Sequence, residues 1–500
     1  MSLRRRSLLL STGALAVAGI SPLVQAQSPR GLRLGITLEP PGLDPTASAS
    51  SSIAEIALYN VYETLTKIQP DGSVTPLLAE SWEVSDDVRA FTFRLRPGVT
   101  FHNGAAFDAK TVQFSLQRAG AQDSTNKDRQ IFANIQQIVP VDAHTVRLEL
   151  KNADSDLLFK LGMATAIMVE TGSVAQNRTQ PVGTGPYQLE SWRKGATLTL
   201  RKWAGYRQAN QISIERATFQ FISDAAAQAA ALLAGDVDVF ARAAVARSLS
   251  AFKQQPARFQ VLVSNSRAKT ILAINNRQKP LDDVRVRRAI TAAIDRKAII
   301  EAAADGYGVP IGSHYVPGMP GYIDATTTVP YDVAAAKQLL AQAGVTTPLS
   351  LRLILPPAPY ARQGGELVAA MLSQVGIQAR IQNVEWAQWL SGVYTNRDYD
   401  LSIISHVEPL DLDNYTKPGY YWGYQSDAFN ALYTRIQQTV DGPVRNQLLA
   451  QAQQMLADDA VNVWLYQPQW LTVANSRIRG LWADMPIFVN DLSSISWASS

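Results

Sequence analysis

Strands and helices that alternate through the second half of the chain, and a globular composition with ample core, predict an α/β protein. Thr270–Ile274, Leu351–Leu355, Gln378–Val384 and Asp400–Ser405 read as short apolar strands. Asp283–Ala304, Val333–Ala343 and Gly364–Gln374 carry apolar residues at helical spacing, and Gly344 is a stop signal. This alternation implies a parallel sheet with covering helices. The 500 residues are 46% hydrophobic and 18% charged, enough for two or three domains.

The first half reads in the same way. Gly31–Thr37 alternates as a strand and Pro40–Pro45 breaks it with a rigid turn. Ile53–Lys67 has helical spacing, with Ile56, Tyr59, Asn60 and Glu63 three or four apart. Ala90–Arg96, Thr145–Leu150 and Ala196–Arg201 alternate as strands, and Pro181–Tyr187 (PVGTGPY) is a glycine-proline turn. Arg285, Arg287 and Arg288 stand at a helix start, where solvation or pairing is expected, and Trp82 is expected in a core.

The start of the chain reads as an export signal. Arg4, Arg5 and Arg6 precede an apolar run of 13 residues, Leu8 to Ile20, and Val24-Gln25-Ala26 predicts cleavage after Ala26. The run is too short for a bilayer core, which needs about 20 residues. Arg5-Arg6 before Ser7-Leu8-Leu9 resembles a twin-arginine signal, and an ordinary secretory signal fits as well. With no cysteine, the mature chain has neither a disulfide nor a lipid anchor at the cleavage site. The expectation is a soluble periplasmic protein.

The formal charge of +4 is mostly the signal's. Removing its three arginines leaves 43 basic against 42 acidic residues, or +1. No other Lys/Arg block exists, which excludes a nucleic-acid binder.

The stretch SHVEPLDLDNYTKPGYYWGY at 405–424 follows the last strand of the series. In open α/β sheets, ligands bind beyond the carboxyl ends of strands. His406, Glu408, Asp411 and Asp413 stand there beside Tyr420, Tyr421, Trp422 and Tyr424, whose rings suit a cation or a sugar face. Tyr420 and Trp422 share a face if the segment is extended. His406-x-Glu408 could meet one metal, but structural zinc wants three or four ligands and no second histidine is near in sequence. His102 and His144 likewise have no second ligand at metal spacing. No GxSxG, HExxH or glycine-rich phosphate loop is present. Neither catalysis, a cofactor nor a bound metal is expected.

Seven motifs resemble one family. They are GLDP at Gly42–Pro45, PLLAESWEVSDD at Pro76–Asp87 and FTFRLRPGVTFHNGAAFDAKTVQFS at Phe91–Ser115. GTGPY at Gly183–Tyr187, AGDVD at Ala234–Asp238, LDDVRVRRAITAAIDR at Leu281–Arg296 and YDVAAAKQLLAQAG at Tyr331–Gly344 complete the series. In that order they resemble the solute-binding proteins of ABC importers for dipeptides, oligopeptides and nickel chelates. The resemblance implies a two-lobed periplasmic-binding-protein fold with a hinge and an extra N-terminal subdomain. Lobe I would take residues 27–46, 182–267 and 475–500, the extra subdomain 47–181 and lobe II 268–474, with chain crossings near 267 and 474.

The same resemblance implies a function and site residues. The chain would capture a peptide or peptide-like cationic solute and deliver it to a membrane permease and its ATPase, as a monomer without enzymatic activity. An opine, an amino-acid derivative, an oligosaccharide or a metal chelate in the same scaffold is the alternative. Glu408 falls where peptide-binding relatives place an aspartate for the ligand's α-ammonium. Glu39, Trp386 and Tyr394 align with ligand-facing positions, and Arg362 lies near where dipeptide binders hold a carboxylate. His406, Asp411, Tyr420 and Trp422 complete the candidate ligand-binding set.

Overall fold

A computed structural model describes residues 31–498. The signal region, with Arg5, Arg6 and the cleavage site after Ala26, lies outside them. Two sheet regions share one long strand. Asn462–Asn475 pairs through its first half with Lys269–Ile274 and Gly308–Pro310, and through its second half with Phe259–Asn265 and Val239–Phe240. Its pairing with Gly308–Pro310 ends at Pro468 and its pairing with Phe259–Asn265 begins at Gln469. The strand therefore passes from one set of partners to the other between Pro468 and Gln469.

Gly31–Ile36 runs parallel to Arg216–Phe221 and Val239–Phe240 in the first lobe. A separate antiparallel sheet orders Ala79–Val84, Ala90–Leu95, Thr145–Leu150 and Ile135–Asp142. It packs against the helix Ala109–Gly120 over a core that includes Phe91, Phe93, Phe101 and Leu116. That helix starts where it does because Asp108 accepts from Thr111 N at 2.9 Å while Thr111 Oγ1 returns to the Asp108 amide.

In the second lobe, Ile377–Asn383, Leu349–Leu355 and Leu401–His406 are mutually parallel, as expected. Lys269–Ile274 is antiparallel to Leu401–His406, so the sheet is mixed. Burial explains why the difference is invisible in sequence. All six residues of Lys269–Ile274 are buried, and a central antiparallel strand covered on both faces has the same apolar run as a parallel one. Leu272 and Ile274 enter one core and Ile271 and Ala273 the other, by simple alternation.

Two helix expectations fail at identifiable places. The helix expected over Ile53–Lys67 is only Ser51–Ala57, and Thr66–Ile68 is a strand. Tyr59 takes φ 61°, and its hydroxyl donates to Gly162 O at 2.7 Å while accepting from Ile68 N at 2.9 Å. These tertiary bonds override the local helical pattern. A Cβ on Gly183 would stand 1.9 Å from Val61 O, and one on Gly185 2.4 Å from Asn60 O. The GTGPY glycines thus let two segments approach backbone to backbone. The helix expected over Asp283–Ala304 is two, Val284–Ala292 and Arg296–Ala303, because Asp295 caps the second. Arg287 is not solvated but buried, donating to the carbonyls of Leu281, Asp282, Asp459 and Ala460.

Candidate functional site

Leu401–His406 delivers the segment Val407–Asp411 to the junction of the lobes. Leu410 packs against both the first-lobe core and one of the second-lobe cores. Val407 and Glu408 are exposed, and Pro409 and Asp411 are buried. The two acids of this loop therefore face different media.

Asp411 is held from beneath. Lys269, fully buried, pairs with its carboxylate and donates to Glu408 O at 2.5 Å. His314 Nε2 meets Asp411 Oδ1 at 2.7 Å, and Tyr415 OH stands 2.9 Å from His314 Nδ1. The arrangement fits a neutral imidazole that donates through Nε2 and accepts through Nδ1. Burial pushes His314 down to about 4, against the pull of Asp411, so it is uncharged at neutral pH. Burial alone would raise Asp411, but Lys269 and then His314 outweigh it and hold the carboxyl far below its usual range. Asp411 is thus a neutralised buried anion, not the free ligand-facing acid expected from sequence.

Glu408 has no such partner for its side chain among the described residues. Beside it runs a wall of rings. His406 Nε2 is 2.9 Å from Tyr421 OH, and its ring lies 6.5 Å from Tyr420. Tyr420 is 5.7 Å from Tyr394, Tyr394 is 6.3 Å from Trp389, and Trp389 is 6.1 Å from Trp386. Trp386 and Tyr394 are each 44% exposed, too open for core rings. Trp386 precedes, and Tyr394 lies within, a π-helical turn at Leu390–Thr395, a distortion common at functional sites. Arg362 stands at the Trp386 end, 3.5 Å from Glu385.

His406, Glu408 and Asp411 can each bring one ligand atom within 4.8 Å of the others, a grouping that sequence spacing did not assemble. Lys269 already stands among these atoms, bonded to Asp411 and to the Glu408 carbonyl. A dication there would meet an ammonium at close range.

Residues 73–430 match the model of the bacterial extracellular solute-binding proteins, family 5. The chain belongs to this family. It is the periplasmic solute-binding type of component of an ABC importer. It is 27% identical to Di/tripeptide-binding protein 1 of Pseudomonas aeruginosa, over 88% of this chain and 90% of that one. It is 31% identical to the glutathione-binding protein GsiB of Salmonella paratyphi A, over 69% and 68%. The PBP AgaA of A. tumefaciens R10, in complex with agropinic acid, is similar at 25% identity with a TM-score of 0.78, covering 94% of this chain and 99% of AgaA. HbpA2 of Haemophilus parasuis shares the fold at 22% identity with a TM-score of 0.83, covering 94% and 100%.

Within this solute-binding scaffold the expected site residues separate. His406, Glu408, Tyr420, Tyr394 and Trp386 come together along one wall of the second lobe, with Arg362 at its end. Trp422 does not join the surface. It is 0% exposed, and its ring stacks on Tyr415 at 4.6 Å. Tyr420–Trp422 is a turn rather than extended, although the two rings lie 4.4 Å apart. Glu39 is in the first lobe, where it accepts from Trp192 Nε1 and Gly195 N, both at 2.9 Å. Lys269, His314 and Trp389 went unmarked in sequence. Only Lys269 carried a signal, as a lysine opening an otherwise apolar strand.

Proposed function

We propose that the chain captures a peptide or peptide-like cationic solute between its lobes and hands it to an inner-membrane permease. The carrying observation is that Glu408 offers an exposed carboxylate at one end of a half-open aromatic wall, while the neighbouring Asp411 is neutralised by Lys269. An ammonium enclosed at that point needs a paired charge, since burying it alone costs several kcal/mol. Arg362 at the far end suits a carboxylate, so a zwitterion fits the wall. The names of the di/tripeptide-binding and glutathione-binding relatives favour the same class.

The lobes divide near Arg267 and within Asn462–Asn475, and closure about these crossings encloses the solute. The exported chain works as a monomer, cut after Ala26, and has no catalytic role. A second reading, an opine-like amino-acid derivative, is favoured by the likeness to AgaA in complex with agropinic acid.

Native mass spectrometry of protein purified without denaturation tests the reading through the mass of retained solute. A peptide or amino-acid derivative carrying an amine supports it, and a neutral oligosaccharide overturns it. Adding back the identified solute should shrink the radius of gyration in small-angle scattering, because contacts from both lobes favour the closed state.

A further inference from the structure

We infer that the solute is a peptide of three or more residues with large apolar side chains at two alternate positions, seated on a row formed by Trp386, Leu390 and Tyr394. This rests on the reading that the chain captures an amine-bearing, peptide-like solute, and it adds the solute's length and side-chain class. The three residues are four apart and all open to water, Leu390 the most, at 51%. They span the helix Trp386–Trp389 and the π-helical turn Leu390–Thr395 that continues it. In an α-helix the fourth residue on overshoots a full turn, whereas in a wider π turn it falls short. The two offsets cancel, so the π turn brings Tyr394 back into line with Trp386 and Leu390. An unbroken α-helix would rotate Tyr394 about 80° away from Trp386.

Packing does not explain the row. Trp389 and Val393 supply this segment's share of the core. The other exposed positions, Ala387, Gln388, Ser391 and Thr395, are small or polar, so the large apolar side chains left in water are confined to one line. A contiguous apolar surface of this kind marks an interaction site. What it continues is the solute wall. The Tyr394 ring leads through Tyr420 to His406 beside Glu408, and Arg362 stands at the Trp386 end. A solute whose amine is held by Glu408 and whose carboxylate meets Arg362 therefore lies along the row. At 1.5 Å per residue the row is about 12 Å long. Side chains on one side of an extended peptide recur about every 7 Å, so the row seats two of them, from the first and third residues of a tripeptide. A compact polar solute, opine-like or otherwise, would leave the row wet.

The test titrates the mature protein, dialysed free of retained solute, with Phe-Ala-Leu, Ala-Phe-Ala and Ala-Ala-Ala in a calorimeter. Phe-Ala-Leu should bind at least about tenfold more tightly than Ala-Ala-Ala, because two large side chains leave water. Ala-Phe-Ala, whose ring points to the other side, should stay close to Ala-Ala-Ala. Leu390→Ser alters an exposed side chain outside the core and should bring Phe-Ala-Leu most of the way down to Ala-Ala-Ala. Trp386→Ala should do the same. Equal affinities for the three peptides, or a preference for Phe-Ala-Leu undiminished in both variants, would overturn the row while leaving the peptide reading intact. Binding of none of the three would overturn both.

Discussion

Arg445, on the helix Pro443–Asp458 of the second lobe, is ion-paired with Asp156, which stands beside the separate antiparallel sheet 289 positions earlier. Both side chains are buried, at 5% and 11% exposure. Arg445 Nε also donates to Ser155 Oγ at 2.8 Å, and Gln437 Nε2 to Asp156 Oδ2 at 3.2 Å. Leu157 belongs to one core and Leu448 to another, so the pair fastens two separately packed units.

Breaking that pair on one side should cost about 3–5 kcal/mol, because the remaining charge stays buried. Arg445→Gln and Asp156→Asn are each expected to lower stability by that order in urea unfolding. The double variant should recover part of the loss, leaving a coupling energy well above the roughly 0.5 kcal/mol error of such a cycle. Additive losses would show that the contact does not fasten the units.

Acid should destabilise the protein well above the carboxylate range. His314 and His102 are both pushed down to about 4 by burial, against about 6.5 in an unfolded chain. Below pH 6.5 the unfolded state therefore binds protons that the native state refuses, and stability present at pH 7 is lost as pH falls from 6.5 towards 4. At pH 5 the loss is about 2 kcal/mol for each histidine, from 1.36 kcal/mol per unit. Asp411 adds its own loss only below about 3.9, where the unfolded carboxyl takes its proton. Calorimetry at pH 7 and pH 5 decides it, and equal melting temperatures would sink the assignment of two neutral buried imidazoles.

Lys269 should be what keeps a metal out of the loop. Lys269→Met removes the ammonium from among His406, Glu408 and Asp411, whose ligand atoms lie within 4.8 Å of one another. Zinc at micromolar concentration should then stabilise the variant while leaving the parent's melting temperature unchanged. Tight zinc binding by the parent, abolished in His406→Ala, would show that the ammonium does not guard the site.

Most of the second lobe's strand and helix order was legible because apolar periodicity and caps are local signals. Val333–Gln342 ends one residue before the expected boundary, and Gly344 takes the positive φ of 72° that a stop requires. The region Leu58–Leu65 was not legible, since its backbone follows bonds to Gly162 and Asn490, far away in sequence. The same holds for the site. The family resemblance alone singles out Glu408, and Asp411 looks identical to it in sequence. Only Lys269, 142 positions away, and His314, 97 away, make it a structural anion.

That division of labour gives the sharpest test of the binding site. Glu408→Gln removes the exposed charge and keeps its shape, so solute affinity should fall roughly a hundredfold while the melting temperature stays within a degree or two. Asp411→Asn should do the reverse first. It leaves Lys269 buried without its counter-ion, and the expected loss is about 3–5 kcal/mol of stability before any effect on binding is read. Glu408→Asp keeps the charge one methylene back, and a peptide solute should tolerate it better than Gln. Calorimetric titration of the three variants with the solute identified by mass, together with their unfolding curves, separates the roles. Binding by Glu408→Gln within about threefold of the parent would show that the exposed carboxylate is idle. The cationic end of the solute would then have to be met by Glu39 across the cleft, despite its bonds to Trp192 and Gly195.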